Sequence, residues 1–143
     1  MKDRSTIEAN QWKLISLVAE TQFAPDGIVS RALFRSGQQR VTLFGFSAGQ
    51  ELTEHTTTAH ALVQILSGQS EWMLDGERRI LRAGDLLYMP PHLRHAVRAT
   101  EDFSMLLTLL PSTAPAVALA SVSVRPPATN PAAVKPMAAS CKT

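Results

Sequence analysis

The chain holds a single cysteine, Cys141, close to its C-terminus. That excludes an intrachain disulfide and any cysteine-rich metal cluster, and a reducing, cytoplasmic setting is the natural expectation. Long hydrophobic runs are missing too. Lys2, Asp3, Arg4 and Glu8 precede the first apolar cluster, and Leu14 to Ala19 falls far short of the roughly 20 residues a spanning helix needs, so neither signal peptide nor membrane anchor is expected. An excess of one charge sign is also lacking. Fourteen basic and twelve acidic residues leave a net charge of +2, and the pI near 9.0 reflects a small imbalance and not a patch that would hold nucleic acid. There is no Gly-rich phosphate loop, Cys-x-x-Cys pair, Gly-x-Ser-x-Gly elbow or His-Glu-x-x-His helix, which removes nucleotide hydrolysis, zinc-finger and common hydrolase chemistries. No repeat of 20 to 50 residues supports a solenoid or propeller.

What remains is a length of 143 residues, enough for one domain, with nine prolines and seven glycines that imply many turns. Leu14, Ile15, Leu17 and Val18 recur at helical spacing after Asn10, a competent cap, so one short helix is predicted within residues 10–20. From Ile28 onward the pattern changes to apolar runs of four to eight residues between turns. Strands are predicted at 28–34, 40–47, 60–66, 70–74, 77–82, 86–89, 94–98 and 103–110. Asp75-Gly76 supplies the positive φ angles of a type I′ hairpin between two of them. The expected organisation is an N-terminal helix and arm over 1–27, an all-β barrel over 28–110, and a tail over 111–143. The tail holds six of the nine prolines and neither aromatic nor carboxylate side chains, and it is predicted to be mostly disordered.

Several strands are apolar on both faces. Val41 and Leu43 alternate with Phe44 and Phe46, and Ala61, Val63 and Ile65 alternate with Leu62 and Leu66. One face can fill a barrel, while the other needs cover, and a second copy of the chain is the simplest cover, so a homodimer is expected.

Chemistry concentrates in two stretches, Gly49-Gln50-Glu51-Leu52-Thr53-Glu54-His55 with Gly68 downstream, and Gly84 to Pro90 with His95 downstream. In an extended segment His55 shares a face with Thr53 and Thr57, and His95 shares one with Leu93 and Val97. Arg94 and Arg98 fall on the opposite face. Because a buried unpaired guanidinium is prohibitively costly, this parity puts His95 inside. Two imidazoles converging in a closed sheet can hold a metal or move a proton. The plainer alternative is a pair of histidines hydrogen-bonded to interior hydroxyls.

The two stretches resemble the paired signature motifs of the cupin superfamily, small jelly-roll barrels, over about Ile28 to Leu110. In the first motif Gly49, His55 and Gly68 match, Thr57 stands where a second His belongs and Ala61 where a Glu belongs. In the second Gly84, Pro90 and His95 match, His92 replaces a Gly and Ala99 an Asn. Ungapped phrases such as Ala61 to Gly68 and Phe103 to Thr108 look like those of small single-domain cupins. The resemblance implies an all-β jelly-roll β-barrel with a short N-terminal helix and a disordered C-terminal tail. It also implies that two of the family's four usual metal ligands, three His and one Glu, are kept. The site residues expected from it are His55 and His95, holding a divalent transition metal (Fe, Mn, Ni, Cu or Zn) where one binds.

His60, Gln64 and His92 are candidates to complete such a site. His60 and Gln64 point outward when counted from Ala61, unless a bulge within Thr56 to Ala59 rotates His60 inward. Glu51 and Glu54 could add a carboxylate but read as solvated charges. Phe44, Phe46, Trp72, Met73 and Tyr88 read as core or pocket wall, and Arg78, Arg79 and Arg82 as a solvated hairpin face. The expected function is small-molecule binding, with a small organic molecule as partner. A metal-free ligand-binding or sensing module is the alternative, and a structural protein acting through its dimer surface and tail ranks third.

Overall fold

The computed structural model describes residues 5–112. Among the described residues nine strands form two antiparallel sheets. The first sheet has the order β1-β2-β9-β4-β7, from β1 (Ile28–Ser36), β2 (Gln39–Phe46), β9 (Phe103–Leu110), β4 (His60–Ser67) and β7 (Leu86–Met89). The second has the order β3-β8-β5-β6, from β3 (Glu51–His55), β8 (His95–Ala99), β5 (Gln69–Leu74) and β6 (Glu77–Arg82). This is the jelly-roll architecture that the resemblance implies. The expected tail, with Cys141, lies outside the described residues apart from Pro111 and Ser112. No helix among the described residues is long and apolar enough to cross a membrane.

Alternation builds the core. Ala61, Val63 and Ile65 of β4, with Met105 of β9 and Met89 of β7, face Trp72 of β5, Leu81 of β6 and Val97 of β8 across the barrel, all below 8% exposure. Phe46 and Phe103, cross-strand partners, stack at 4.7 Å and close one end. The β5–β6 turn has Asp75 at φ 51° and Gly76 at φ 88°, the two positive angles that the hairpin prediction requires.

Three features depart from the sequence prediction. The helix α1 covers only Leu17–Glu20, capped by Ser16 and not by Asn10. Trp12 and Leu14 are 87% and 85% exposed, so the apolar spacing that suggested a longer helix meets no packing surface, and short helices without one are marginal. The strand β3 was not predicted. Its only partly buried residue is Leu52, because it is an edge strand with charges on both sides of that position, and no alternation marks it.

The third concerns the outer face of the first sheet, part of which the chain covers itself. The amides of Thr6 and Ile7 donate to the carbonyls of Ala32 and Leu33, and Leu33 and Leu43 are 2% exposed although they stand outside the central cluster. Gly45 explains how closely this arm packs. A Cβ placed there would lie 2.1 Å from the Gln22 carbonyl oxygen, so only glycine allows the arm to lie on β2. Gly45→Ala is expected to lift the arm while the barrel stays folded. Tryptic cleavage at Lys13 should accelerate, with a smaller change in the denaturation midpoint of the barrel; unchanged cleavage contradicts this packing.

Candidate functional site at the barrel mouth

His55 and His95 belong to neighbouring strands and are cross-strand partners. Their ring centroids lie 4.3 Å apart with the planes inclined by 60°. The register that achieves this is irregular. Leu52 pairs with Val97, so uninterrupted alternation would put residue 54 opposite residue 95, but a shift between Leu52 and His55 inserts one extra residue. This bulge turns His55 inward in place of Glu54, which is how bulges re-aim side chains. The expectation that His55 shares its face with Thr53 is therefore corrected, since Thr53 lines a groove on the outside of the sheet whereas His55 lines the interior. His95 follows plain alternation and is 6% exposed. Arg94 and Arg98, on the opposite face, pair with Asp75 at 3.5 Å and Glu71 at 3.7 Å.

Both rings are oriented by their own strands. His55 Nδ1 lies 2.7 Å from the Thr53 carbonyl and His95 Nδ1 lies 2.9 Å from the Leu93 carbonyl. A carbonyl oxygen can only accept, so each Nδ1 carries the proton and donates it, and each Nε2 keeps its lone pair in the neutral ring. A backbone carbonyl on Nδ1 fixes the ring's orientation and leaves Nε2 as the atom that can bind a cation or accept a proton. Burial of His95 holds its pKa below the usual histidine value of 6.5; the Leu93 hydrogen bond opposes this, and the nearby His55 adds to it. His55 is exposed, so the pair stands where the interior meets solvent, one ring inside and one at the mouth.

Behind the pair is a cavity of about 50 Å³. Its lining is hydrocarbon and sulfur apart from the two imidazoles and the Trp72 indole, whose N–H donates to Ser70 Oγ at 2.8 Å. Organic ligand sites generally span about 300–1,000 Å³, so this space admits an ion with one or two waters, or the tip of a larger molecule. A wider groove of about 390 Å³ on the outer face of the second sheet runs past Glu51, Thr53, Glu71, Met73, Arg78 and Arg98, and neither histidine lines it.

The other candidates stay apart from the pair. No bulge rotates His60 inward. It opens β4 opposite Leu110, and its Nδ1 lies 2.7 Å from the hydroxyl of Tyr88 on the outer face. Gln64 is exposed on the same face. His92 is an exposed loop residue at φ 69°, the left-handed backbone that the motif's glycine serves, and its amide donates to the Thr57 carbonyl. Glu51 and Glu54 are exposed, and Arg78 and Arg79 pair with Glu71 and Glu77. Among the described residues no group of three or more His, Cys, Asp or Glu side chains is placed to hold a metal ion.

Two residues that sequence reasoning passed over line the same cavity: Met89 of β7 and Met105 of β9, 2% and 3% exposed. The parity of β7 could have found Met89. It is the cross-strand partner of Ala61, the position where the motif has its carboxylate.

Comparison with known proteins places these observations. The family model described as Cupin domain matches residues 42–110. A conserved protein of unknown function from Streptococcus pyogenes is 32% identical, with 80% of this chain and 98% of that one covered and a TM-score of 0.69. A cupin superfamily protein from Desulfitobacterium hafniense is 26% identical over 71% of this chain and 94% of that one, with a TM-score of 0.66. An RmlC-like cupin protein from Desulfovibrio desulfuricans is 28% identical over 71% and 98%, with a TM-score of 0.64. No curated protein matches the chain.

The buried neutral ring gives a stability signature. The unfolded chain binds a proton at His95 more readily than the folded chain does, so stability is full above the unfolded value near 6.5 and is lost as pH falls from there through the lowered folded value. Chelator-treated protein melted in urea at pH 7.5 and 5.0 should lose more stability at the lower pH than its His95→Gln variant. Equal losses contradict the burial of a neutral ring.

Proposed function

Because the chain belongs to the cupin family, we propose that it is a small-molecule-binding cupin whose recognition element is the His55–His95 pair, with a metal ion completing the contact. The observation that supports this reading most is the common orientation of the two rings: both Nδ1 protons go to backbone carbonyls, leaving two adjacent Nε2 lone pairs at the mouth of the barrel. Such a pair is satisfied by a cation or by a donor group of a bound molecule. The dimensions of the cavity favour a ligand whose organic body stays at the mouth while only its reacting end reaches the imidazoles.

The residues fit a metal held by His55 and His95 through Nε2 with its other positions open, and they do not form a closed four-ligand cage. A bound ion would polarise a carbonyl or activate water. The chain's own part is to orient the rings through Thr53 and Leu93, to exclude bulk water behind them with Val63, Trp72 and Val97, and to leave His55 accessible for exchange. Metal-free recognition is a second reading, favoured by the count of only two nitrogen donors; there the same Nε2 atoms accept hydrogen bonds from hydroxyl or amide groups.

The reading also includes a second copy of the chain. The arm leaves the β4–β7 end of the first sheet uncovered, where Leu86 is 64% and Tyr88 50% exposed next to Leu62. We expect light scattering to give a dimer at micromolar concentration and Leu86→Arg to shift it to monomer.

The metal component is tested by elemental analysis of full-length protein purified without chelator, and by melting with Fe(II), Mn(II), Ni(II), Cu or Zn(II) added. At 100 Kd a ligand stabilises by about 2.7 kcal/mol, which raises the melting temperature of a domain this size by well over 5 °C. That gain should be lost in His55→Ala and His95→Ala. No bound metal and no gain with any ion sinks the metal component.

A further inference from the structure

The arm carries an apolar stripe that no described residue covers. Trp12, Leu14 and Val18 are almost fully exposed, and although single exposed hydrophobics are ordinary, three within seven residues, one of them a tryptophan, mark a contact surface. The segment that presents them is held at both ends. The Ile7 amide donates to the Leu33 carbonyl of β1, and Glu20 of α1 pairs with Arg31 of β1 at 3.1 Å, so the stripe is offered in one place at small ordering cost.

Beside the stripe lies a pocket of about 260 Å³, walled by Leu17, Thr21 and Phe23 of the arm and by Leu66, Ser67 and Ser104 of β4 and β9. No charged side chain lines it, and Trp12 of the same chain does not enter it. We infer that this pocket receives Trp12 of a second copy, which offers its own pocket to Trp12 of the first, so that two arms are exchanged across a two-fold axis. The inference rests on the second-copy reading above and adds to it the anchor and the pocket that takes it.

Polarity selects the anchor. The Ser67 and Ser104 hydroxyls lie 2.7 Å apart; one donates to the other, and lone pairs remain on both with no other donor among the described residues. Thr21 is already engaged, since its hydroxyl donates to the Leu17 carbonyl at 2.8 Å. An indole fills an apolar pocket and brings a single N–H to its polar end, and the protein already makes that bond once, from Trp72 Nε1 to Ser70 Oγ at 2.8 Å.

Placement suits a two-fold contact. Trp12 stands five residues ahead of Leu17, so anchor and pocket are neighbours on one copy, and an axis passing between them brings both exchanges together. Leu66 is the next outward position on β4 after Leu62 and Gln64, which makes the pocket continuous with the patch of Leu62, Leu86 and Tyr88. A buried tryptophan contributes about 150–250 Å². With both anchors and the walls that receive them, the exchange covers on the order of 600–1,000 Å², so the adjoining patch needs to add only a comparable area to reach the roughly 1,200–2,000 Å² of a stable interface.

The test uses the full chain and light scattering over a concentration series. Trp12→Ala is expected to raise the dimer dissociation constant by roughly tenfold or more, and Leu66→Arg, which puts a charge in the pocket, to do the same. Trp12 is exposed on its own chain, so its replacement should leave the melting temperature of the monomer unchanged. The decisive sample is an equimolar mixture of the Trp12→Ala and Leu66→Arg chains. Each homodimer lacks both contacts, whereas the mixed dimer restores one intact anchor in one intact pocket, so the mixture should associate more tightly than either chain alone. Defects acting within single chains would only average. If Trp12→Ala leaves the dissociation constant unchanged, or the mixture associates no better than its components, the exchange is overturned while the second-copy reading stands. A wild-type chain that is monomeric at micromolar concentration overturns both.

Discussion

One irregularity in strand pairing carries the site. If β3 and β8 kept perfect register from Leu52 and Val97, the side chain brought opposite His95 would be that of Glu54. A carboxylate beside a buried imidazole makes a different object, a charged pair that favours the imidazolium. The extra residue between Leu52 and His55 replaces that pair with two imidazole rings at 4.3 Å. Everything chemical about the mouth of this barrel follows from that exchange. It sends Glu54 to solvent, and it leaves the Thr53 carbonyl 2.7 Å from the ring it orients.

The barrel behind the pair is a frame that resists rearrangement. Trp72, Val97, Val63 and Met89 are nearly inaccessible, and interiors of this density transmit strain but do not readily open. The low pKa of His95 belongs to the same design, since the burial that excludes water from the cavity also keeps the ring unprotonated and its lone pair available.

How much of this was legible in the sequence depends on where burial imposes a pattern. Strands β4 and β9 are central in the first sheet, so their interior positions must alternate, and Ala61-Val63-Ile65 and Phe103-Met105-Leu107 show it in the letters. The Asp75-Gly76 hairpin was legible because its φ angles constrain residue type locally. Strand β3 was not, because an edge strand with Leu52 as its one partly buried side chain has no alternation to display. The bulge within it was invisible for the same reason: register is set by the partner strand, and parity counted along one strand assigns His55 the wrong neighbour. The short helix misled in the opposite sense. Leu14, Leu17 and Val18 have helical spacing, yet spacing forms a helix only where a surface accepts the stripe, and the arm touches the first sheet through Thr6, Ile7 and Gln22 instead. That arm also supplies part of the cover that the two-faced apolar pattern seemed to demand from a second chain.

The departures from the motif have a common physical direction. Ala61 stands where the pattern has a carboxylate, Thr57 where it has a third imidazole, and Ala99, 1% exposed, where it has an amide. Taken singly each is a loss, but together they make the interior less polar and remove its negative charge. A buried carboxylate at residue 61 would need a cation or hydrogen-bond donors to be tolerated, and with a methyl group there the wall can be completed by the Met89 side chain of the neighbouring strand. What remains is a cavity of about 50 Å³ whose lining is apolar apart from the two imidazoles and the Trp72 indole. Such a lining makes a buried charge costly unless it brings its own partner.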